Sequence, residues 1–137
     1  MNIAIIPARA GSVRLKNKNL KLLNGKPLIY YAINTAIKSN LFDEVIISTN
    51  SHKILNKAIK YGAQSNGLRT KKLSDNDTLL LDVVKYEIKK NKKAKEIINV
   101  CCILPTNIYN NVKLLKSGFN KLYNNNKGYI FCATKTP

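Results

Sequence analysis

The sequence has no apolar run approaching the length of a membrane-spanning helix, and its opening, Met1-Asn2-Ile3-Ala4-Ile5-Ile6, meets Pro7 and Arg9 without a signal-peptide pattern. With neither a span nor a leader in view, the cytoplasm is the expected location and no membrane partner is expected. Cysteine is scarce and odd in number, at Cys101, Cys102 and Cys132. No Cys-x-x-Cys pair exists, and His52 is the single histidine that could join them in a metal or redox site. All three therefore read as reduced core residues. Acidic side chains are the other deficit, 7 Asp and Glu against 24 Lys and Arg, for a formal net charge of +17. That balance raises nucleic acid as a partner, because grouped cations neutralise phosphates and release counterions. Grouping is what the sequence lacks: Lys71-Lys72, Lys89-Lys90 and Lys92-Lys93 are short runs in a chain rich in Asn and Ile. The charge reads as solvated faces, not as a dedicated polynucleotide surface.

What is present fits one compact domain over residues 1–137, since 137 residues at 45% hydrophobic content build one core and not two. Ile3 to Ile6 form a short apolar run closed by Pro7, as in a strand buried on both faces of a parallel sheet. After a polar, basic stretch to Gly25, Pro27 stands at a helix start, and Ile29, Ala32, Ile33, Ala36 and Ile37 follow at helical spacing. Val45 to Ile47 make a second strand. Ser51 then caps a helix with Ile54, Leu55, Ala58 and Ile59 on one face, ended by Gly62. A third helix is predicted with Asp77 or Thr78 as its cap and Leu81, Val84 and Ile88 inward. Ile97 to Leu104 is a strand closed by Pro105, and Val112, Leu115, Phe119 and Leu122 are spaced for a fourth helix. Asn124-Asn125-Asn126 mark a loop before a last strand over Tyr129 to Ala133. This alternation predicts an α/β fold with a doubly wound, mostly parallel, Rossmann-like sheet. In such sheets ligands bind beyond the carboxyl ends of the strands, which directs attention to residues 7–25, 49–51 and 105–110.

The first of these loops, Pro7 to Asn19, is suited to phosphate. Its small residues let backbone N–H groups approach an anion, Arg9 can offer a two-pronged cation and Lys18 a point charge. It is neither a Walker A loop nor a Gly-x-Gly-x-x-Gly loop, and a plain basic surface loop is the competing reading. Asp75 and Asp77 form a tempting carboxylate pair for a cation, but both read first as turn and cap residues, so no metal ligands are assigned. His52, at a helix start, reads as a solvated histidine before it reads as a general base.

Six segments in register carry a resemblance across almost the whole chain. They are Ile5-Ile6-Pro7-Ala8-Arg9-Ala10-Gly11-Ser12 with Lys18-Asn19, then Asn24-Gly25-Lys26-Pro27-Leu28-Ile29, then Leu41 to Thr49, then Tyr61-Gly62-Ala63 with Leu68-Arg69, then Leu73 to Thr78, and Cys101 to Thr106. Together they resemble the opening of the acylneuraminate cytidylyltransferases, the CMP-sialic acid synthetases and their relatives for pseudaminic and legionaminic acids. The resemblance implies a nucleotide-diphospho-sugar transferase fold, CTP and a sugar acid as partners, Mg²⁺ as cofactor, and a homodimer. It also implies attack of the sugar's anomeric hydroxyl on the α-phosphorus with loss of pyrophosphate, or else a non-catalytic CTP-binding relative of the same descent.

Carried over by position, Arg9 and Lys18 would meet the triphosphate as catalytic cations, with Ala8, Gly11 and Ser12 shaping the loop around it. Asn19, Arg69 and Thr78 fall where the family places further nucleotide contacts, although Arg69 could be a loop cation and Thr78 a helix cap. The family continues beyond this length, with its metal-binding carboxylates toward the carboxyl end, so the chain reads as a truncated, N-terminal part of that fold. Val13, Asn50 and Asn107-Ile108 depart from the family pattern, and Leu104 stands where many sialic-acid enzymes carry Gln, which favours a pseudaminic-type relative.

Overall fold

The computed structural model describes residues 1–12, 15–124 and 128–133. In chain order, β1 (Asn2–Pro7) leads through a basic loop to the short pair β2 (Leu22–Leu23) and β3 (Lys26–Pro27), and then to α1 (Leu28–Ser39). β4 (Glu44–Ser48), α2 (His52–Lys60) and α3 (Leu80–Lys90) follow, and then β5 (Asn99–Cys102) and α4 (Val112–Asn124). The strands β4, β1 and β5 form one parallel sheet in that order, with Ile5 opposite both Ile46 and Cys102.

Strand β1 is central and its alternation feeds two cores. Ala4 and Ile6 face Ile29, Ala32, Ile33 and Ala36 of α1 and Ile54 and Ala58 of α2. Ile3 and Ile5, one residue out of phase, face the other side with Ile46, where Val84 and Ile88 of α3 cover them. Helices therefore lie on both faces, and the fold is the α/β, doubly wound parallel arrangement expected. Ser51 caps α2 by accepting the Ile54 N–H at 3.4 Å. Gly62 follows that helix at φ +90°, and an added Cβ would stand 3.0 Å from Ile37 Cδ1, so both the turn and the packing call for glycine.

Several expectations are corrected. Ile37 and Ile59 are exposed, lying at the margins of their helical stripes. In α3 the buried positions are Val83 and Glu87, and Leu81 is 59% exposed. The helix begins at Leu80, not at Asp77 or Thr78, and Glu87 reads as a solvent-facing residue in any hydrophobic pattern. Strand β5 is only four residues long. Cys101 packs against the larger core, but Cys102 is exposed because β5 is an edge of the described sheet, and Cys132, outside any strand, is exposed as well. All three thiols are free. Tyr129 to Ala133 join no strand, and Tyr129 and Phe131 are largely exposed. The expectations on Val13, on Asn125-Asn126 and on residues 134–137 lie outside the described residues. No described helix is long and apolar enough to cross a membrane.

The pair β2–β3 was not expected. Asn24 and Gly25 both take positive φ, 46° and 74°, which is the mirror-image turn that joins antiparallel strands most tightly. Tyr31 of α1 donates its hydroxyl to the Leu23 carbonyl and so ties this pair to the first helix.

Candidate functional site

Because β4 and β5 flank β1 on opposite sides, the chain reverses its direction of winding at β1, and a crevice opens beyond the carboxyl ends of β1 and β5. A cleft of about 840 Å³ occupies this place. Pro7 and Arg9 reach it from the end of β1, and Leu104, Pro105 and Thr106 from beyond β5. Ser12, Leu15, Lys18 and Asn19 come from the basic loop, and the 69–78 segment together with Leu80 and Val83 closes the remaining wall.

Of the residues singled out in the sequence, Arg9, Ser12, Lys18, Asn19, Arg69 and Thr78 all line this one cleft, though they span seventy positions of chain. Ala8 does not: it is wholly buried in the core, and its N–H is used by the Ser48 carbonyl at 2.8 Å. Gly11 is exposed at φ +89°, bending the loop without lining the cleft.

The loop is anchored at both ends. Asn19, only 5% exposed, donates its side-chain amide to the Arg9 carbonyl at 3.0 Å. Asn50, at the end of β4, accepts the Ala10 N–H at 2.8 Å, so the amide at this position supplies the acceptor that the loop needs. The Arg9 guanidinium spans the cleft, donating to the Ser74 carbonyl at 3.3 Å and to Asn76 Oδ1 at 2.7 Å. Arg69 donates from Nε to Ser74 Oγ at 3.2 Å, and Ser74 Oγ in turn donates to the Thr70 carbonyl at 2.8 Å. Both arginines thus lean on the 74–76 turn. Burial pulls the Arg69 guanidinium below its ordinary pKa; the Glu87 carboxylate acts the other way, and Arg9 adds to the fall.

Asp75 is the one carboxylate on the described lining. Its Oδ1 accepts the Thr78 N–H at 2.7 Å and the Thr78 hydroxyl as well, the turn role expected of it, and these bonds hold its carboxyl below the usual range. Among the described residues no three His, Cys, Asp or Glu side chains converge to hold a metal. His52 sits exposed at the start of α2, away from the cleft. The cleft therefore carries three cations, Arg9, Lys18 and Arg69, against a single engaged carboxylate, in a concave setting that suits a polyanion with an apolar or planar body. Residue-by-residue reading overlooked Ser74 and Asn76, although both stand inside a segment whose family likeness was noted. Only their hydrogen bonds to Arg9 and Arg69 reveal them.

The chain matches the family model described as cytidylyltransferase over residues 3–136. It belongs to the cytidylyltransferase family. It is 38% identical over 135 residues to a pseudaminic acid cytidylyltransferase of Campylobacter jejuni, covering 98% of this chain and 58% of that protein. A CMP-N,N'-diacetyllegionaminic acid synthase of Legionella pneumophila is 43% identical over 82 residues, 60% of this chain and 35% of that one. Among solved structures, a CMP:2-keto-3-deoxy-manno-octonic acid synthetase complexed with CTP superposes with a TM-score of 0.73 at 19% identity, covering 91% of this chain and 48% of its own, a likeness of fold. This cytidylyltransferase-family chain thus spans a little over half the length of the Campylobacter relative, 58%.

Proposed function

We propose that the chain binds CTP in the cleft between the ends of β1 and β5 and serves the transfer of CMP to a nonulosonic acid of the pseudaminic type. The observation that carries this reading is the convergence of Arg9, Lys18 and Arg69 on one cleft in a member of the cytidylyltransferase family. In the proposed reaction the sugar's anomeric oxygen forms a bond to the α-phosphorus, the α–β phosphoanhydride bond breaks, pyrophosphate leaves with that electron pair, and the hydroxyl proton passes to solvent. Arg9 and Lys18 meet the charge that gathers on the phosphoryl oxygens, and Gly11 and Ser12 shape the loop that lets backbone groups approach them. Asn19 holds the Arg9 backbone, and Arg69 and Thr78 form the facing wall. Leu104 lines the same cleft, and it stands where the resemblance places Gln in many sialic-acid enzymes, which supports a pseudaminic-type acid.

The reading carries with it the Mg²⁺, homodimer and cytoplasmic setting that the resemblance implies. A Mg²⁺ bound between phosphates takes one or two free carboxylates from the protein. The described lining offers only one carboxylate, Asp75, whose Oδ1 is already engaged by Thr78, a poor fit to that requirement, and no step here is routed through the ion. This mismatch favours, as a second reading, a chain that binds CTP without turning it over.

The test is calorimetric titration with CTP and with ATP, on the wild-type protein and Arg9→Ala, followed by pyrophosphate release assayed with pseudaminic acid. Selective CTP binding that weakens at least about tenfold in the variant is expected, from the loss of charge-assisted hydrogen bonds. Equal binding of both nucleotides, or an unaffected Arg9→Ala, overturns the assignment. CTP binding with no pyrophosphate release leaves the second reading.

A further inference from the structure

Glu87 is a fully buried carboxylate that does not line the cleft. It lies on α3 four residues beyond Val83, which lines the cleft. Its Oε1 accepts the Ser48 hydroxyl at 2.7 Å, from the end of β4, and its Oε2 accepts the Asn66 side-chain amide at 3.1 Å. The same Asn66 amide also donates to the Glu87 backbone carbonyl at 3.2 Å, and the neighbouring Tyr86 hydroxyl reaches the Leu68 carbonyl at 3.5 Å. Helix α3 therefore grips the 66–68 segment from side chain and backbone together. The next residue is Arg69, only 5% exposed, whose own N–H is fixed by the Thr49 carbonyl at 2.7 Å.

A buried carboxylate is costly unless it is both hydrogen-bonded and matched in charge. Ser48 and Asn66 meet the first requirement. The buried Arg69 guanidinium, on which the Glu87 charge acts favourably, meets the second. A leucine in place of Glu87 would leave the buried Ser48 hydroxyl and the Asn66 amide without an acceptor, so the carboxylate ties these groups together. We propose that Glu87 is a positioning residue for Arg69: through Ser48, Asn66 and its own charge it fixes the 66–69 segment so that the Arg69 guanidinium is presented to the phosphates of a bound nucleotide. The inference rests on the reading of the cleft as a nucleotide site. The Glu87 carboxylate touches no substrate and acts only through Arg69.

The test is a double-mutant cycle on the purified protein with Glu87→Gln, Arg69→Ala and the pair, titrated with CTP and, separately, with inorganic tripolyphosphate. Glu87→Gln is expected to weaken CTP binding about tenfold in the wild-type background, and to change it less than about twofold when Arg69 is already alanine. Thermal unfolding adds a second readout: Arg69→Ala alone strands the Glu87 charge, so the pair is expected to melt above that single variant. Equal losses of affinity in both backgrounds, or tighter CTP binding in Glu87→Gln, overturn the proposal. Should Glu87→Gln not fold, Ser48→Ala removes one donor only and is expected to give the same background dependence at severalfold amplitude. Binding of tripolyphosphate without CTP refutes the CTP assignment alone, and the cycle is then read on tripolyphosphate. Binding of neither refutes both.

Discussion

Replacing Ala8 by glycine separates the core from the cleft at the point where sequence and structure disagree. Ala8 lies in the nucleotide-binding loop by sequence, yet its methyl group is wholly buried among core residues and its N–H is held by Ser48. Removing one buried methyl costs about 0.8 kcal/mol, and the added backbone freedom of glycine about 0.7 kcal/mol more, for a total of about 1.5 kcal/mol. A chain of 137 residues gains roughly 0.3 kcal/mol per kelvin of unfolding entropy, so the melting temperature should fall by about 5 °C. CTP affinity, measured well below the transition, should stay within about twofold of wild type, because no atom lost in the variant faces the cleft. Thermal unfolding by circular dichroism and titration calorimetry on the same preparation decide the matter. An unchanged melting temperature with a tenfold loss of CTP affinity would show that the Ala8 side chain belongs to the site after all.

Two further outcomes follow from titrating groups. Burial, with Cys132 adding to it, pushes the Cys101 thiol up to about 11, so at pH 8 only about one part in a thousand is the reactive thiolate. Iodoacetamide should therefore label Cys101 slowly at pH 8 and about tenfold faster per added pH unit, read by peptide mass spectrometry; complete labelling within minutes on folded protein would refute its burial. Asp75 is held low by the Thr78 hydroxyl and N–H, so its contribution to the 75–78 turn is complete above the unfolded aspartate range and is lost only as pH falls through the depressed folded value. The Thr78 amide resonance should shift in acid below the ordinary aspartate range, and Asp75→Asn, which keeps an acceptor, should abolish that step. A step at or above the ordinary range would refute the bond.

The elements legible in the sequence are those whose buried residues are mostly apolar. Strands β1 and β4, and the inner faces of α1 and α2, announce themselves because their inward positions are Ile, Val or Ala apart from the buried Ser39 and Ser48. Helix α3 is legible only in part: Val84 and Ile88 pack on the core as their spacing predicts, but Leu81 is exposed and the most buried side chain is Glu87, a residue that pattern reading turns outward. The β2–β3 pair has two residues per strand and so no period to detect; its signal was the Asn24-Gly25 turn, which had registered only as part of a family likeness. The strand expected over 129–133 rested on local apolar character alone, and no pairing edge in the described residues meets it. In the cleft, Arg9 and Lys18 were legible because a basic, small-residue loop after a strand is where a phosphate reading looks, and Arg69 through the family likeness. Ser74 and Asn76 were not, because a turn that braces two arginines has the same composition as any other surface turn.

The position of β1 at the centre of the sheet also constrains the order in which the chain can fold as it is made. Its partner on one side, β4, follows in sequence at Glu44–Ser48, and the Gln64 segment that bridges Ile46 comes soon after. Its partner on the other side, β5, pairs Asn2 with Asn99, almost a hundred residues away. Until Ile103 has been added, one edge of β1 stands open, and the cleft, whose wall needs the residues just after β5, does not exist. Non-local parallel pairing of this kind is slow to form and leaves an interval in which an apolar strand edge is accessible. A nascent chain halted between Gln64 and Ile103 is thus the species on which a chaperone would find this protein.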